Sequence, residues 1–358
     1  MNAHPYRSAP RKAFWAKSVA ENFDPEALVD SSEPLIRPEE MVMSAGSCFA
    51  ANIVPYLEQA GFHYLRTERI HPALAATTGD NFSYAKFTAA YGNIYTARQL
   101  LQLLRRCLGS FAPEEDRWVT SDAVLDPFRP GLRYPASTEH EFDVLTARHL
   151  ARTREAFETA DVFVFTLGLT EAWVSAADGA VFPACPGTVA GRFDPARHRF
   201  VNFSVSDVVS DLGAFLSELK TVNPRLRTIL TVSPVPLVAT ATGGHVLVAT
   251  SYSKSVLRAA AGEIAARFPE VTYFPAYEIV TGPQAHPNFF EADRRTVGAS
   301  AIAEVMRAFL AACRGISNGL EPKPVEKIPD KAAEDASSTA LSKALSEAEC
   351  EEAANALD

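Results

Sequence analysis

Two runs, ADVFVFTLG at 160–168 and LRTILTVS at 226–233, constrain the fold of this chain more than any other feature. A strand with one wet face alternates apolar and polar residues. A run that is apolar and β-branched throughout belongs to a strand covered on both faces, as in a parallel sheet. Two shorter runs fit the same sheet: VMS at 42–44 and VTYFPA at 271–276. Between the runs the apolar spacing changes to that of amphipathic helices. Thr96 to Leu108 carries leucines at 100, 101, 103, 104 and 108, and Asp143 to Thr159 carries Leu145, Leu150 and Phe157. Ser206 to Val222 puts Val209, Leu212, Leu216 and Leu219 on one stripe; Tyr252–Phe268 and Val297–Ala312 repeat the pattern. Strands alternating with helices predict a three-layer α/β/α sandwich with a mostly parallel sheet.

The 358 residues suffice for one large α/β domain. Residues 1–33 read as a polar lead-in and 34–316 as the folded body. Residues 317–358 read as an acidic, Pro/Lys/Glu/Ala/Ser-rich, largely disordered tail, with a weak helix from about Ser338. The stretches 110–142 and 174–204 are too long for plain connections and predict insertions or lids over a site. A net charge of −9 argues against a protein held on nucleic acid by phosphate contacts. No run approaches the length that spans a bilayer, and the N-terminal MNAHPYRSAPRKAFWAKSV has no apolar signal core. Cysteines 48, 107, 185, 313 and 350 have no CxxC or zinc spacing. The expectation is a cytoplasmic protein without metal or cofactor; P-loop, GxGxxG and HExxH motifs are absent.

In a doubly wound sheet, ligands bind beyond the carboxyl ends of the strands. Three polar or glycine-bearing turns follow the predicted strands: Gly46-Ser47-Cys48, Gly168-Leu169-Thr170-Glu171 and Ser233-Pro234-Val235-Pro236. Gly46 allows a tight turn, and Ser47 falls at a helix N-cap, near backbone N–H groups that can stabilise an oxyanion. Phe49, Ile53, Tyr56, Leu57 and Ala60 form one helix face, which Pro55 should kink or displace. The residue types leave two nucleophiles open. Ser47 is expected at the rim, and Cys48 against the sheet, though a thiol in a first helical turn can also be activated. A serine needs a base, and two histidines lie on loops that could reach the rim: His245 in TGGHVLVATSYSKS and His286 in QAHPNFFEADRR. His149 sits on an amphipathic helix and reads as structural.

The pentapeptide GSCFA at 46–50 resembles the signature of the GSCFA-domain family, which is grouped with SGNH/GDSL-like hydrolases. YGNIYTARQLLQLL (91–104), FTLGLTEAW (165–173), PACPGTVAG (183–191), LTVSPVPLVAT (230–240), YSKSVLR (252–258) and YFPAYEIV (273–280) also resemble that family, in order, over about 230 residues. The resemblance implies an SGNH-like, flavodoxin-type α/β/α fold with Ser47 as nucleophile. It implies oxyanion or substrate contacts from Gly92 and Asn93 in YGN, and from Gly168, Thr170 and Glu171, where Thr170 and Glu171 replace the asparagine and aspartate of a GxND block. Asp293 takes the place of the aspartate in the terminal DxxH, but Thr296 stands where its histidine would be. If the chain is active, the base would then be His245 or His286, with Asp293 orienting it, or the mechanism differs. The implied function is a serine acyl-ester hydrolase or acyltransferase acting on a small-molecule or O-acylated saccharide ester. The alternative is a non-catalytic carbohydrate-binding or assembly protein on the same fold.

Overall fold

The computed structural model describes residues 4–29, 33–70, 84, 86–132 and 135–315. The predicted tail helix, Tyr134, His71 and Cys350 lie outside the described residues. Along the chain come strand β1 (Met41–Gly46), helix α1 (Ile53–Gln59), β2 (His63–Tyr64), α2 (Ala97–Leu108), β3 (Trp118–Val119), β4 (Val124–Leu125) and α3 (Glu139–Thr159). Then follow β5 (Val162–Leu167), β6 (Glu171–Ser175), β7 (Val181–Phe182), β8 (His198–Asn202) and α4 (Val205–Val222). The chain continues through β9 (Arg227–Val232), α5 (Val246–Arg267), β10 (Val271–Tyr273), α6 (Ala276–Thr281) and α7 (Ala299–Arg314).

The central sheet has the order β10-β9-β5-β1-β2, and its pairings are parallel throughout. Numbered by their sequence within this sheet, the strands run 2-1-3-4-5, the doubly wound order of flavodoxin-type proteins. The two-residue period of the strands divides the core. Met43, Ala45, Phe163, Phe165, Leu167, Leu230 and Val232 face one layer, with residues of α2, α4 and α5. Val42, Val162, Val164 and Ile229 face the other, with residues of α1, α6 and α7. The fold is thus the three-layer α/β/α sandwich predicted from the apolar runs.

The predicted insertions carry small antiparallel sheets. Segment 174–204 builds most of the sheet β7-β6-β8, and β3 pairs with β4 inside 110–142. Two helices start earlier than the apolar stripe indicates. Helix α3 begins at Glu139 because Thr138 accepts from the Glu141 N–H, while Glu141 accepts from the Ser137 N–H. Helix α5 begins at Val246, capped by His245, and its first turn exposes Leu247 and Val248 to solvent, which hides its amphipathicity in the sequence. Residues 5–20 form single turns that bury nothing, whereas Leu35 and Ile36 already belong to the core. No described helix is long and apolar enough to cross a membrane.

Candidate active site

The strand order reverses at β1, which lies between β2 and β5. The helix after β1 packs on one face of the sheet, and α4, the next helix after β5, packs on the other. The connections therefore diverge above the β1–β5 pair and leave a crevice at its carboxyl end. Gly46 and Ser47 enter that crevice. Gly46 pairs with Thr166 and has φ +145°; a Cβ on it would stand 2.5 Å from the Thr166 carbonyl oxygen. Only glycine permits this close approach of β1 to β5.

Ser47 holds the N-cap position of a 3₁₀ turn, Cys48–Asn52, yet its hydroxyl caps nothing. Its N–H donates weakly to the Thr166 carbonyl at 3.4 Å. The side chain is 3% exposed, and Oγ has no hydrogen-bond partner among the described residues. Cys48 is half-buried, and the next two residues, Phe49 and Ala50, are the ones that enter the core. The sequence expectation is reversed here: the serine is buried and the thiol is the more accessible group. The reason is the 3₁₀ start, which gives three residues per turn before Pro55 allows regular α-helix from Ile53.

Backbone hydrogen bonds draw three loops onto this turn. The Ile94 N–H donates to the Gly46 carbonyl, so the Gly92–Asn93 segment lies against the serine turn. Tyr95 O accepts from both Gly168 and Leu169 N–H groups, which ties the same loop to the end of β5. Gln99 fixes it further by accepting from the Tyr95 N–H and donating to the Asn93 carbonyl. Gly92 adopts φ +67°, and Asn93 is buried with Nδ2 donating to the Tyr95 hydroxyl.

The other predicted residues occupy definite places. The Thr170 hydroxyl donates to Asn202 Oδ1 at 2.7 Å, so its single proton is committed there and not to an oxyanion. The Gly168 N–H is likewise spent on Tyr95. Glu171 is buried and accepts from the Thr240 hydroxyl at 2.7 Å and the Ala241 N–H at 3.2 Å. It borders a cavity of about 250 Å³ on the same rim, with Trp173, Phe200, Thr188, Leu237 and Cys185. Asp293 is exposed and accepts from the Arg295 N–H, the Thr296 N–H and the Thr296 hydroxyl, which hold its carboxyl below the usual range, the Thr296 side-chain bond most of all. Among the described residues no hydrogen bond joins Asp293 to a histidine.

His245 and His286 are both exposed, and each is a cap through Nδ1: His245 accepts from the Leu247 N–H at the start of α5, and His286 from the Asn288 N–H at a short 3₁₀ turn. A neutral imidazole that accepts at Nδ1 carries its proton on Nε2. In this arrangement neither ring offers a free lone pair to a serine hydroxyl. His149 bonds Glu68 in the core at 2.7 Å, and His198 bonds Glu115, so both are structural.

The sequence reading passed over Lys254. It is 2% exposed, and its Nζ donates to the Gly168 carbonyl at 2.6 Å. Its neighbour Ser253 accepts from the Thr170 N–H, so one turn of α5 docks on the loop that leaves β5. Burial pushes the Lys254 ammonium down to about 7; the nearby Cys48 thiol opposes this shift and the Arg295 guanidinium adds to it. The signal was present in the sequence. Lys254 lies three and seven residues before Leu257 and Ala261, so a charged residue stands on the stripe that α5 buries.

A doubly wound α/β protein with a buried serine at its topological switch point is the class these observations define. The GSCFA family model matches residues 41–309, and the chain belongs to that family. None of the curated proteins matches the chain. Among solved structures, the chain is similar to a carbohydrate esterase family 3 protein from Talaromyces cellulolyticus, at 10% identity and TM-score 0.34, over 75% of this chain and 93% of that one. It is also similar to a carbohydrate esterase family 2 enzyme with a carbohydrate-binding domain from Corynascus thermopiles (Myceliophthora fergusii), at 14% identity and TM-score 0.31, over 79% and 68%. The crevice is located by the strand order of this chain, independently of these likenesses.

Proposed function

We propose that this chain is a serine-dependent acyl-ester hydrolase or acyltransferase with Ser47 as its nucleophile and an O-acylated saccharide as its substrate class. The observation that carries the reading is the Ser47 hydroxyl: buried, unpartnered among the described residues and unused as a cap. An unsatisfied buried hydroxyl costs about 1–3 kcal/mol, so its presence in a folded protein calls for an explanation, and a catalytic role is one. Ser47 Oγ attacks the ester carbonyl. Its own N–H, bonded only weakly to Thr166, and the Gly92–Asn93 loop supply donors for the oxyanion. The cavity beside Glu171 suits a sugar, with the Trp173 and Phe200 rings for stacking and the Thr188 hydroxyl for polar contact.

The test is a fluorophosphonate probe applied to the wild type, Ser47→Ala and Cys48→Ala. Labelling lost only in Ser47→Ala is the expected result. Labelling lost only in Cys48→Ala assigns the chemistry to the thiol. One observation favours the second reading, a non-catalytic saccharide-binding protein: Asp293 is spent on Thr296, and among the described residues no histidine is hydrogen-bonded to it. A chain that binds acylated saccharide but takes no label in any form supports that reading.

A further inference from the structure

Among the described residues, no histidine is hydrogen-bonded to the Ser47 hydroxyl, and His245 and His286 both use Nδ1 as a cap. Three features of α5 and its neighbours address that gap. The Lys254 side chain is sealed from solvent and ends at the Gly168 carbonyl, on the loop that leaves β5. Thr166, two residues before Gly168, is the residue that receives the Ser47 N–H and pairs with Gly46. The Tyr95 carbonyl then ties Gly168 to the loop whose Ile94 N–H holds Gly46. Lysine and serine thus reach the same short run of backbone, 166–168, both are at least 97% buried, and the thiol next to Ser47, that of Cys48, lies near the lysine. A buried lysine that donates to a neutral carbonyl, with a guanidinium nearby, is poorly suited to stay charged.

We propose that Lys254 is the catalytic base of this site, leaving the Gly168 carbonyl to accept the Ser47 proton in a Ser–Lys arrangement; the two side chains are not hydrogen-bonded at rest, and the assignment rests on the serine reading given above. The neutral Nζ takes the proton from Ser47 Oγ as the Oγ–carbon bond forms and the carbonyl π pair moves to the oxyanion. When the tetrahedral intermediate collapses, the ester C–O bond breaks and the ammonium returns that proton to the departing alkoxide. Water, or an acceptor hydroxyl, then attacks the acyl-serine. Lys254 takes its proton, the acyl–Oγ bond breaks, and the proton passes to Ser47 Oγ. Lysine bases of this kind work when burial keeps the amine neutral near pH 7. Burial brings Lys254 to about 7, and the charged or titratable groups that face it are the Cys48 thiol and the Arg295 guanidinium.

The experiment measures the second-order rate of fluorophosphonate attachment to Ser47 between pH 5 and 9, in the wild type, Lys254→Met and Lys254→Arg. Loss of fluoride requires the same proton transfer from Ser47. The expected wild-type rate rises with pH with a midpoint near 7, because the neutral amine is the active form. Both variants are expected to lose about 10²- to 10⁴-fold, the usual contribution of a general base, and to lose the midpoint. Lys254→Arg keeps a donor for the Gly168 carbonyl but cannot deprotonate, so it separates proton transfer from the tether; thermal melts establish that each variant is folded. Folded variants that label Ser47 within about threefold of wild type, with the same profile, overturn the lysine assignment and leave the serine reading intact. The same holds if His245→Ala or His286→Ala abolishes the labelling while Lys254→Met does not. A wild type that takes no label on Ser47 at any pH overturns both.

Discussion

Gly46→Ala is the substitution for which the structure gives the largest worked consequence. Gly46 sits at φ +145°, and an added Cβ would stand 2.5, 2.8 and 2.9 Å from the carbonyl oxygen, Cβ and nitrogen of Thr166. Two of those atoms are backbone in the strand next to it, so no flexible side chain can move aside. Backbone strain in such a region costs about 1–3 kcal/mol, and overpacking a tight core adds about 1–3 kcal/mol. The expected loss is therefore about 2–6 kcal/mol, a large share of the stability of an ordinary domain. Urea unfolding followed by tryptophan fluorescence measures it, with an unchanged m-value as the check on two-state behaviour. Gly109→Ala is the control: Gly109 ends α2 at φ +73° with open space around it, so its loss should be about 1 kcal/mol from backbone strain alone. Equal losses at the two positions, or a Gly46→Ala loss below about 1 kcal/mol, would refute the close approach of β1 to β5 on which the site depends.

Other consequences follow from the same geometry. Arg295 disfavours the Lys254 ammonium and Cys48 favours it, so Arg295→Gln should move the midpoint of Ser47 labelling to higher pH and Cys48→Ala to lower pH; shifts in the opposite directions would contradict the electrostatics. Lys254 also links stability to pH. Its ammonium binds a proton more weakly in the folded state, so stability rises as pH increases from about 7 towards the ordinary lysine value of 10.5 and is flat below. Between pH 7 and 9 the wild type should gain about 2 kcal/mol relative to Lys254→Met in urea unfolding; parallel curves would show the lysine to be solvated. Thr170→Val should cost about 1–3 kcal/mol by stranding Asn202 Oδ1, and an unchanged melting temperature would place that hydroxyl elsewhere.

The layers and the sheet were legible because 160–168 and 226–233 are apolar on both faces, a pattern with few structural solutions. Ser47 was legible because a glycine, a serine and a helical pattern follow a strand. The exposures of Ser47 and Cys48 were not, since they depend on whether the first turn is 3₁₀ or α, and Pro55 settles that from seven residues away. The small antiparallel sheet was hidden because β7 has only two residues and β8 is half polar. His245 drew attention by standing in a glycine-bearing loop, yet the structure uses its ring as a cap. Lys254 went unread for the opposite reason. It lies inside a helical stripe, where a sequence pattern treats a lysine as an interruption of the stripe and not as a buried group.

The central claim is that the Ser47 hydroxyl forms the covalent bond to the acyl group. The most direct measurement mixes the chain with p-nitrophenyl acetate, quenches in acid and maps the acetylated peptide by mass spectrometry. The account predicts one added acetyl group, on Ser47, that is absent in Ser47→Ala. Acetyl found on Cys48, or none on the 41–52 peptide while p-nitrophenol is released, would contradict it.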